Sequence, residues 1–132
     1  MNALFADTFY FLALVNSSDD QHAAAARYDE AKTALITTTW ILIEVGDALS
    51  APENRAVFLN LLDLLNESPD VYIVPATSKL FGRGVELYRQ RSDKNWSLTD
   101  CISFVAMQDE KTVEALTGDR HFEQAGFVAL LK

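Results

Sequence analysis

Short apolar runs rich in β-branched residues alternate along this chain with longer stretches whose apolar residues recur at helical spacing, and few folds accommodate that order. Asn2–Ala6, Ala34–Thr37, Val71–Val74 and Val113–Thr117 read as strands, with Phe127–Leu130 as an edge strand. Between them Phe9–Val15, Gln21–Lys32, Trp40 to about Leu49, Asn54–Leu65, Lys79–Arg91 and Cys101–Met107 read as helices. The junctions carry capping chemistry. Asp7 and Thr8 lead into the first helix, and Ser17, Ser18 and Asp19 turn into the second. Thr38 or Thr39 caps the third, Pro52 breaks the chain after it, Ser78 caps the fifth, and Ser97 with Asp100 has capping-box spacing. Strands separated by helices need crossover connections, so the expected architecture is α/β, a mainly parallel sheet covered by helices. No repeat, low-complexity run or linker interrupts the series, and 132 residues suit a single domain spanning 1–132.

Composition narrows the setting. A 49% hydrophobic content with 11% aromatics supplies a packed core. Cys101 stands alone, which excludes an intramolecular disulfide and a cysteine-rich zinc site and suits a reducing, cytoplasmic compartment. The stretch MNALFADTFYFLALV lacks a basic region and carries Asp7 inside its apolar run, which argues against a signal peptide. The longest other uncharged run, Thr33–Ile43, falls far short of the roughly 20 residues of a membrane helix, so no membrane association is expected. A net charge of -8 repels polyanions, so any nucleic-acid site must be locally basic or bridged by metal.

Four carboxylates occupy positions that apolar surroundings make costly. Asp7 lies between Leu4, Phe5, Ala6 and Phe9, Tyr10, Phe11. Glu44 shares a helical stripe with Trp40, Ile41 and Ala48. Asp100 opens a helix that continues Cys101, Ile102, Phe104, Val105, and Asp119 follows the strand Val113–Thr117. In open α/β sheets the ligand crevice lies beyond the carboxyl ends of the strands, where Asp7 and Asp119 are both expected. Acids gathered there repel one another, and Mg²⁺ or Mn²⁺, which favours hard oxygen ligands, offsets that repulsion. Each acid also has a structural reading: Asp7 as a helix cap, Asp100 as part of a capping box, Asp119 as a turn residue beside Gly118, Glu44 as the partner of a buried arginine.

At these residues the chain resembles the PIN-domain nucleases, and among them the VapC-type toxins of toxin and antitoxin pairs. ADTFYFLALVNSSDDQH is similar to the family's first motif around Asp7, and TTWILIEVGDAL to the second around Glu44. WSLTDCISFVAMQ resembles the third around Asp100, and LTGDRHFEQAGF the last around Asp119. The resemblance implies a three-layer α/β/α PIN-like fold and hydrolysis of RNA phosphodiesters at a Mg²⁺ or Mn²⁺ site, leaving a 5′-phosphate and a 3′-hydroxyl. It makes Asp7 and Asp100 the principal metal ligands, with Asp119 and Glu44 completing the catalytic set directly or through water. Thr117 resembles a family hydroxyl position at the pocket rim. A small antitoxin partner and a homodimer are implied as well. His121 and Phe122 fall in the matching segment but read mainly as packing and turn residues, and His22 has no second ligand at metal spacing.

Other classes fit less well. A phosphorylated receiver domain wants adjacent acids after the first strand and a lysine after the last, and this chain has one acid and no such lysine. Gly82 and Gly84 in FGRGVEL start no dinucleotide fingerprint, and no P-loop is present. A catalytically silent PIN module for protein contacts would be marked by a lost acid, and none is lost; a DNA-cleaving or RNA-processing nuclease is the other alternative. Lys79, Arg83, Arg89, Arg91 and Lys94 place five of eleven basic residues in one stretch, so that Arg83 and Arg89 are expected to bind substrate unless the stretch is only a solvated face.

Overall fold

The computed structural model describes residues 2–132. The order is β1 (Leu4–Ala6), α1 (Thr8–Val15), α2 (His22–Glu30), β2 (Leu35–Thr38), α3 (Thr39–Ala48), a 3-10 turn (Pro52–Asn54) and α4 (Arg55–Glu67). It continues with β3 (Val71–Val74), α5 (Ser78–Gln90), α6 (Leu98–Asp109), β4 (Glu114–Leu116), α7 (Arg120–Gln124) and β5 (Val128–Ala129). The strands form one five-stranded sheet in the order β3-β2-β1-β4-β5, and every pairing is parallel. β1 and β2 are buried at every residue, on both faces of the pleat, which requires helices on both sides and makes the fold three-layered. No helix among the described residues is long and apolar enough to cross a membrane.

Local chemistry accounts for the sharp junctions. β2 runs directly into α3 because the Thr38 hydroxyl accepts the Ile41 amide at 3.1 Å. The Ser97 hydroxyl accepts the Asp100 amide and an Asp100 carboxylate oxygen accepts the Ser97 amide, each at 3.0 Å, completing the capping box of α6. In α5 the cap is Thr77 and not Ser78: its hydroxyl accepts the Leu80 amide, and Ser78 is the first helical residue. α6 starts at Leu98, before the expected Cys101, because the capping box lies a turn earlier than the apolar run. The expected edge strand Phe127–Leu130 shortens to Val128–Ala129, and α7 occupies a segment too brief for periodicity to reveal.

Aromatic packing ties the carboxyl edge together. Phe104 of α6 meets Phe122 of α7 edge-on at 5.0 Å and Trp96 edge-on at 5.0 Å, and Phe122 lies 6.2 Å from Phe5 of β1. Burial of such rings contributes about 2–3 kcal/mol each, so the loop before α6, α6 itself and α7 are held to β1 as a unit. α5 and α6 approach closely at Gly84, where an added Cβ would lie 2.4 Å from Ile102 Cγ1 and 3.2 Å from its Cα. Gly82, one turn-face away on the same helix, has nothing within 4 Å.

The two glycines should therefore respond oppositely to alanine. Gly84→Ala is expected to lower the unfolding free energy by about 1–3 kcal/mol through overpacking. Gly82→Ala should raise it by up to about 1 kcal/mol by removing helix-breaking backbone freedom. Urea denaturation of both variants is the check; equal effects would mean that α5 and α6 are not in close register.

Candidate active site

Asp7 is the first residue beyond β1. It occupies the cap position of α1, yet its side chain makes no capping bond; instead its Oδ2 accepts a hydrogen bond from the Thr117 hydroxyl at 2.7 Å. The same hydroxyl accepts the Asp119 amide at 3.1 Å, so one threonine, itself fully buried, joins the ends of β1 and β4 and orients two acids. Asp7 is only 8% exposed. Burial pushes its carboxyl up to about 7, against which the Thr117 hydrogen bond pulls downward, while the charges of Asp100 and Glu44 push it higher.

The other acids arrive from separate elements. Glu44, half-buried on α3, accepts the Thr8 hydroxyl at 2.5 Å, which links α3 to the first turn of α1. Asp100 sits in the first turn of α6, where the same Oδ2 that caps the helix also meets His121 Nδ1 at 2.9 Å. Asp119 caps α7 by accepting the His121 amide at 2.9 Å, and its Oδ1 lies 3.5 Å from His121 Nδ1. Because a carboxylate only accepts, the contact with Asp100 puts the imidazole hydrogen on Nδ1. Gly118 allows this turn: a Cβ there would fall 2.6 Å from Phe9 Cζ and 2.8 Å from the Leu131 carbonyl oxygen.

These side chains line one cleft of about 370 Å³, bounded by Asp7, Thr8, Glu44, Ser97, Asp100, Asp119 and His121 among others. Asp100, Asp119 and His121 each offer a ligand atom, all within 4.8 Å of one another. Bonds of about 2.1 Å to an ion such as Mg²⁺ separate two donors by at most about 4.2 Å, so small side-chain adjustments bring the two carboxylates onto one cation. The Asp100 and Asp119 carboxylates, with the Asp7 carboxylate in the same cleft, are hard oxygen donors that fit a divalent metal ion, and the His121 Nδ1–H stays turned to Asp100.

The structure thus gathers Asp7, Glu44, Asp100 and Asp119, with Thr117 behind Asp7. It does not bring Arg83 or Arg89 to the cleft. The Arg83 guanidinium is bidentate on Asp109 at 2.5 and 2.9 Å, nine residues along α6 from Asp100 and so about 13 Å away along its axis. Arg89 reaches Glu86 at 3.4 Å on the exposed face of α5. Phe122 is fully buried, in keeping with a packing role, whereas His121 faces the acids. The expected packing and turn role suits Phe122 but not His121, which the cap at Asp119, two residues earlier, turns back over the acids; α7 is one short turn, too brief for its periodicity to show this.

Comparison with known proteins gives a consistent picture. The family model described as PIN domain matches residues 4–128. Among solved structures the chain is similar to Mycobacterium tuberculosis VapC20, a sarcin-ricin loop cleaving toxin, with a TM-score of 0.87 and 24% identity over 98% of this chain and 100% of that one. It is also similar to VapBC2 from Rickettsia felis bound to a DNA fragment from their promoter, with a TM-score of 0.68 and 13% identity over 97% of this chain and 96% of that one. At these identities the likeness is one of fold. A search of curated proteins finds no match.

In metal-free protein the Asp7 carboxyl, followed by its ¹³C shift, should titrate at about 7, and Thr117→Val should move it higher by removing the donor that favours the anion. Since the folded value lies above the ordinary 3.8, the stabilisation from the buried neutral acid is complete below that pH and is lost as pH rises through about 7. Relative to Asp7→Asn, the wild type should lose roughly 4 kcal/mol of stability across that window. An Asp7 carboxyl titrating near 4 without metal would contradict this account of its burial.

Proposed function

The chain belongs to the PIN-domain family, and from that premise we propose that it is a Mg²⁺- or Mn²⁺-dependent endoribonuclease acting as the toxin of a toxin and antitoxin pair. The observation that carries the reading is the convergence of four carboxylates from four separate places in the chain, with His121, on one cleft at the carboxyl edge of the sheet. Capping does not explain so costly a cluster: Asp7 makes no cap, and the caps made by Asp100 and Asp119 would form equally well with uncharged asparagine. Likeness to a sarcin-ricin loop cleaving toxin supports RNA as the substrate class.

In this reading Asp7, Asp100 and Asp119 hold the metal. When bound, the cation polarises the scissile phosphate and lowers the pKa of an attacking water. The chain's own contribution is placement. Thr117 fixes the Asp7 carboxylate through Oδ2, and Asp7 must give up its proton before it can serve as a ligand. Ser97 fixes Asp100, while Thr8 holds Glu44 at the rim, where its carboxylate can orient the attacking water and accept its proton. His121 bridges Asp100 and Asp119 from the outer side and keeps their oxygens convergent.

Likeness to VapBC2 supports a small antitoxin as the protein partner. A groove of about 800 Å³, mainly apolar, lies between α1, α2 and α4, and its lining includes Tyr10, Phe11, Leu14, Tyr28 and Leu61. Leu64 on its wall is 66% exposed, a surface that a partner's side chains would cover. Assembly as a homodimer in the cytoplasm belongs to the same reading.

Expression of the chain without its partner should arrest growth, and Asp100→Asn should not. In thermal melts, Mn²⁺ at a hundredfold excess over its dissociation constant should stabilise the wild type by about 2.7 kcal/mol and leave Asp100→Asn nearly unmoved. In EDTA the variant should melt at or above the wild type, because an amide oxygen keeps the Ser97 contact while one repelling charge is gone. A variant clearly weaker in EDTA, with both proteins indifferent to metal, would reduce Asp100 to a helix cap and remove the metal site.

A further inference from the structure

Beside the acidic cleft lies a second cavity, of about 380 Å³, with Tyr88, Arg91, Lys94, Asn95 and Trp96 among its lining residues. Asn95 borders both, so the two spaces adjoin at the loop between α5 and α6. Their charges are opposite. The cleft is lined by Asp7, Glu44, Asp100 and Asp119 with no lysine or arginine, and the second cavity by Arg91 and Lys94 with no carboxylate. On a chain of net charge -8 such a separation answers a definite difficulty: a polyanion whose one phosphate sits over the acids needs cations for the next.

The wall of this cavity is pre-built. The Lys94 amide donates to the Arg91 carbonyl at 3.0 Å and closes the turn. The Arg91 guanidinium is held bidentate by Asp93, both bonds at 3.0 Å, with its carbon 5.0 Å from the centre of the Trp96 ring. Trp96 in turn donates its Nε1–H to Gln124 at 3.0 Å and packs edge-on against Phe104 at 5.0 Å. One face of the guanidinium therefore rests on the indole. Tyr88 leaves its ring 52% exposed at the cavity, and Lys94 forms no ion pair within 4 Å among the described residues. An aromatic ring and a free ammonium next to a phosphate-cleaving cleft are the elements that single-stranded nucleic acid uses.

Resting on the ribonuclease reading, we propose that this cavity is the subsite for the nucleotide adjoining the scissile phosphate, with Lys94 on its phosphate and Tyr88, beside the Asp93-held Arg91, stacking its base. The strand would pass from the acids across Asn95 into the basic cavity. Of the five basic residues in the 79–94 stretch, Arg91 and Lys94 are the two that line this space, whereas Arg83 points to the far end of α6 and Arg89 to Glu86.

The test is cleavage of a short labelled single-stranded RNA in Mn²⁺ at several salt concentrations, with Mn²⁺-induced thermal shifts as a separate measure of the metal site. Lys94→Gln disturbs no packed group; it should lower kcat/KM at low salt several-fold and flatten the slope of log kcat/KM against log salt by about 0.7, the value for one lost phosphate contact on a single strand. Adding Arg91→Gln, which also frees the Asp93 carboxylate beside Lys94, should bring the loss to tenfold or more. Tyr88→Ala should lower kcat/KM and Tyr88→Phe should restore it, because stacking needs the ring and not the hydroxyl. All four variants should keep the wild-type thermal response to Mn²⁺. Wild-type rates and salt slopes in Lys94→Gln and Tyr88→Ala, with the wild type cleaving normally, would overturn the subsite alone. A wild type that binds Mn²⁺ but neither binds nor cleaves RNA would overturn the subsite and the ribonuclease reading together.

Discussion

The site depends on one carboxylate buried at the end of the central strand. Asp7 sits where β1 meets its neighbour β4, and water is excluded there by the packing that stabilises the sheet. Ionising an acid in such a place is unfavourable unless something of opposite charge or strong donor character compensates. The Thr117 hydroxyl compensates partly; the nearby Asp100 and Glu44 work in the other direction. The metal-free molecule is thus poised, with Asp7 held near the balance between its protonated and ionised forms around neutral pH. A divalent cation relieves the burial and the repulsion together, so the same arrangement that weakens the empty site strengthens the filled one.

Around that centre the charges are sorted more than balanced. The arginines of α5 are neutralised outward, Arg83 by Asp109 and Arg89 by Glu86. These pairs are substantially exposed and contribute little to stability. Arg91 is likewise paired, by Asp93, and is fixed through Trp96 to the aromatic cluster that holds α6 and α7 in place, with Lys94 beside it. The rigid packing of Phe104 and Phe122 therefore sets the spacing of acids and bases alike.

Much of this was legible in the sequence, for identifiable reasons. Strand and helix order followed from periodicity, and the capping box at Ser97 and Asp100 from two residues at fixed spacing. The unusual company kept by Asp7 and Glu44 marked them because burial of acid among apolar residues is expensive wherever the chain goes. Thr77 caps α5 in place of the expected Ser78; both hydroxyls suit the role, and only backbone geometry separates them. α7, too short for a period, hid which way His121 faces. Arg83 and Arg89 looked like partners for RNA because local charge density is visible in sequence, whereas Asp109, the acid that occupies Arg83, lies 26 residues on.

Asp7 and Thr117 are separated by 110 positions in the chain. β1 is the first strand to be made, and its inner neighbour β4 comes after three crossovers, so the central pairing of the sheet closes late. During synthesis the first three strands can assemble as β3-β2-β1, leaving Asp7 at an open, wet edge where it is an ordinary ionised surface acid. Neither the threonine that orients it nor the acid that completes the cluster has then emerged. The topology acts as a clock: a growing chain attached to a ribosome has no assembled acidic cleft until residue 121 is clear of the exit tunnel, and a product that stops short of it never acquires one.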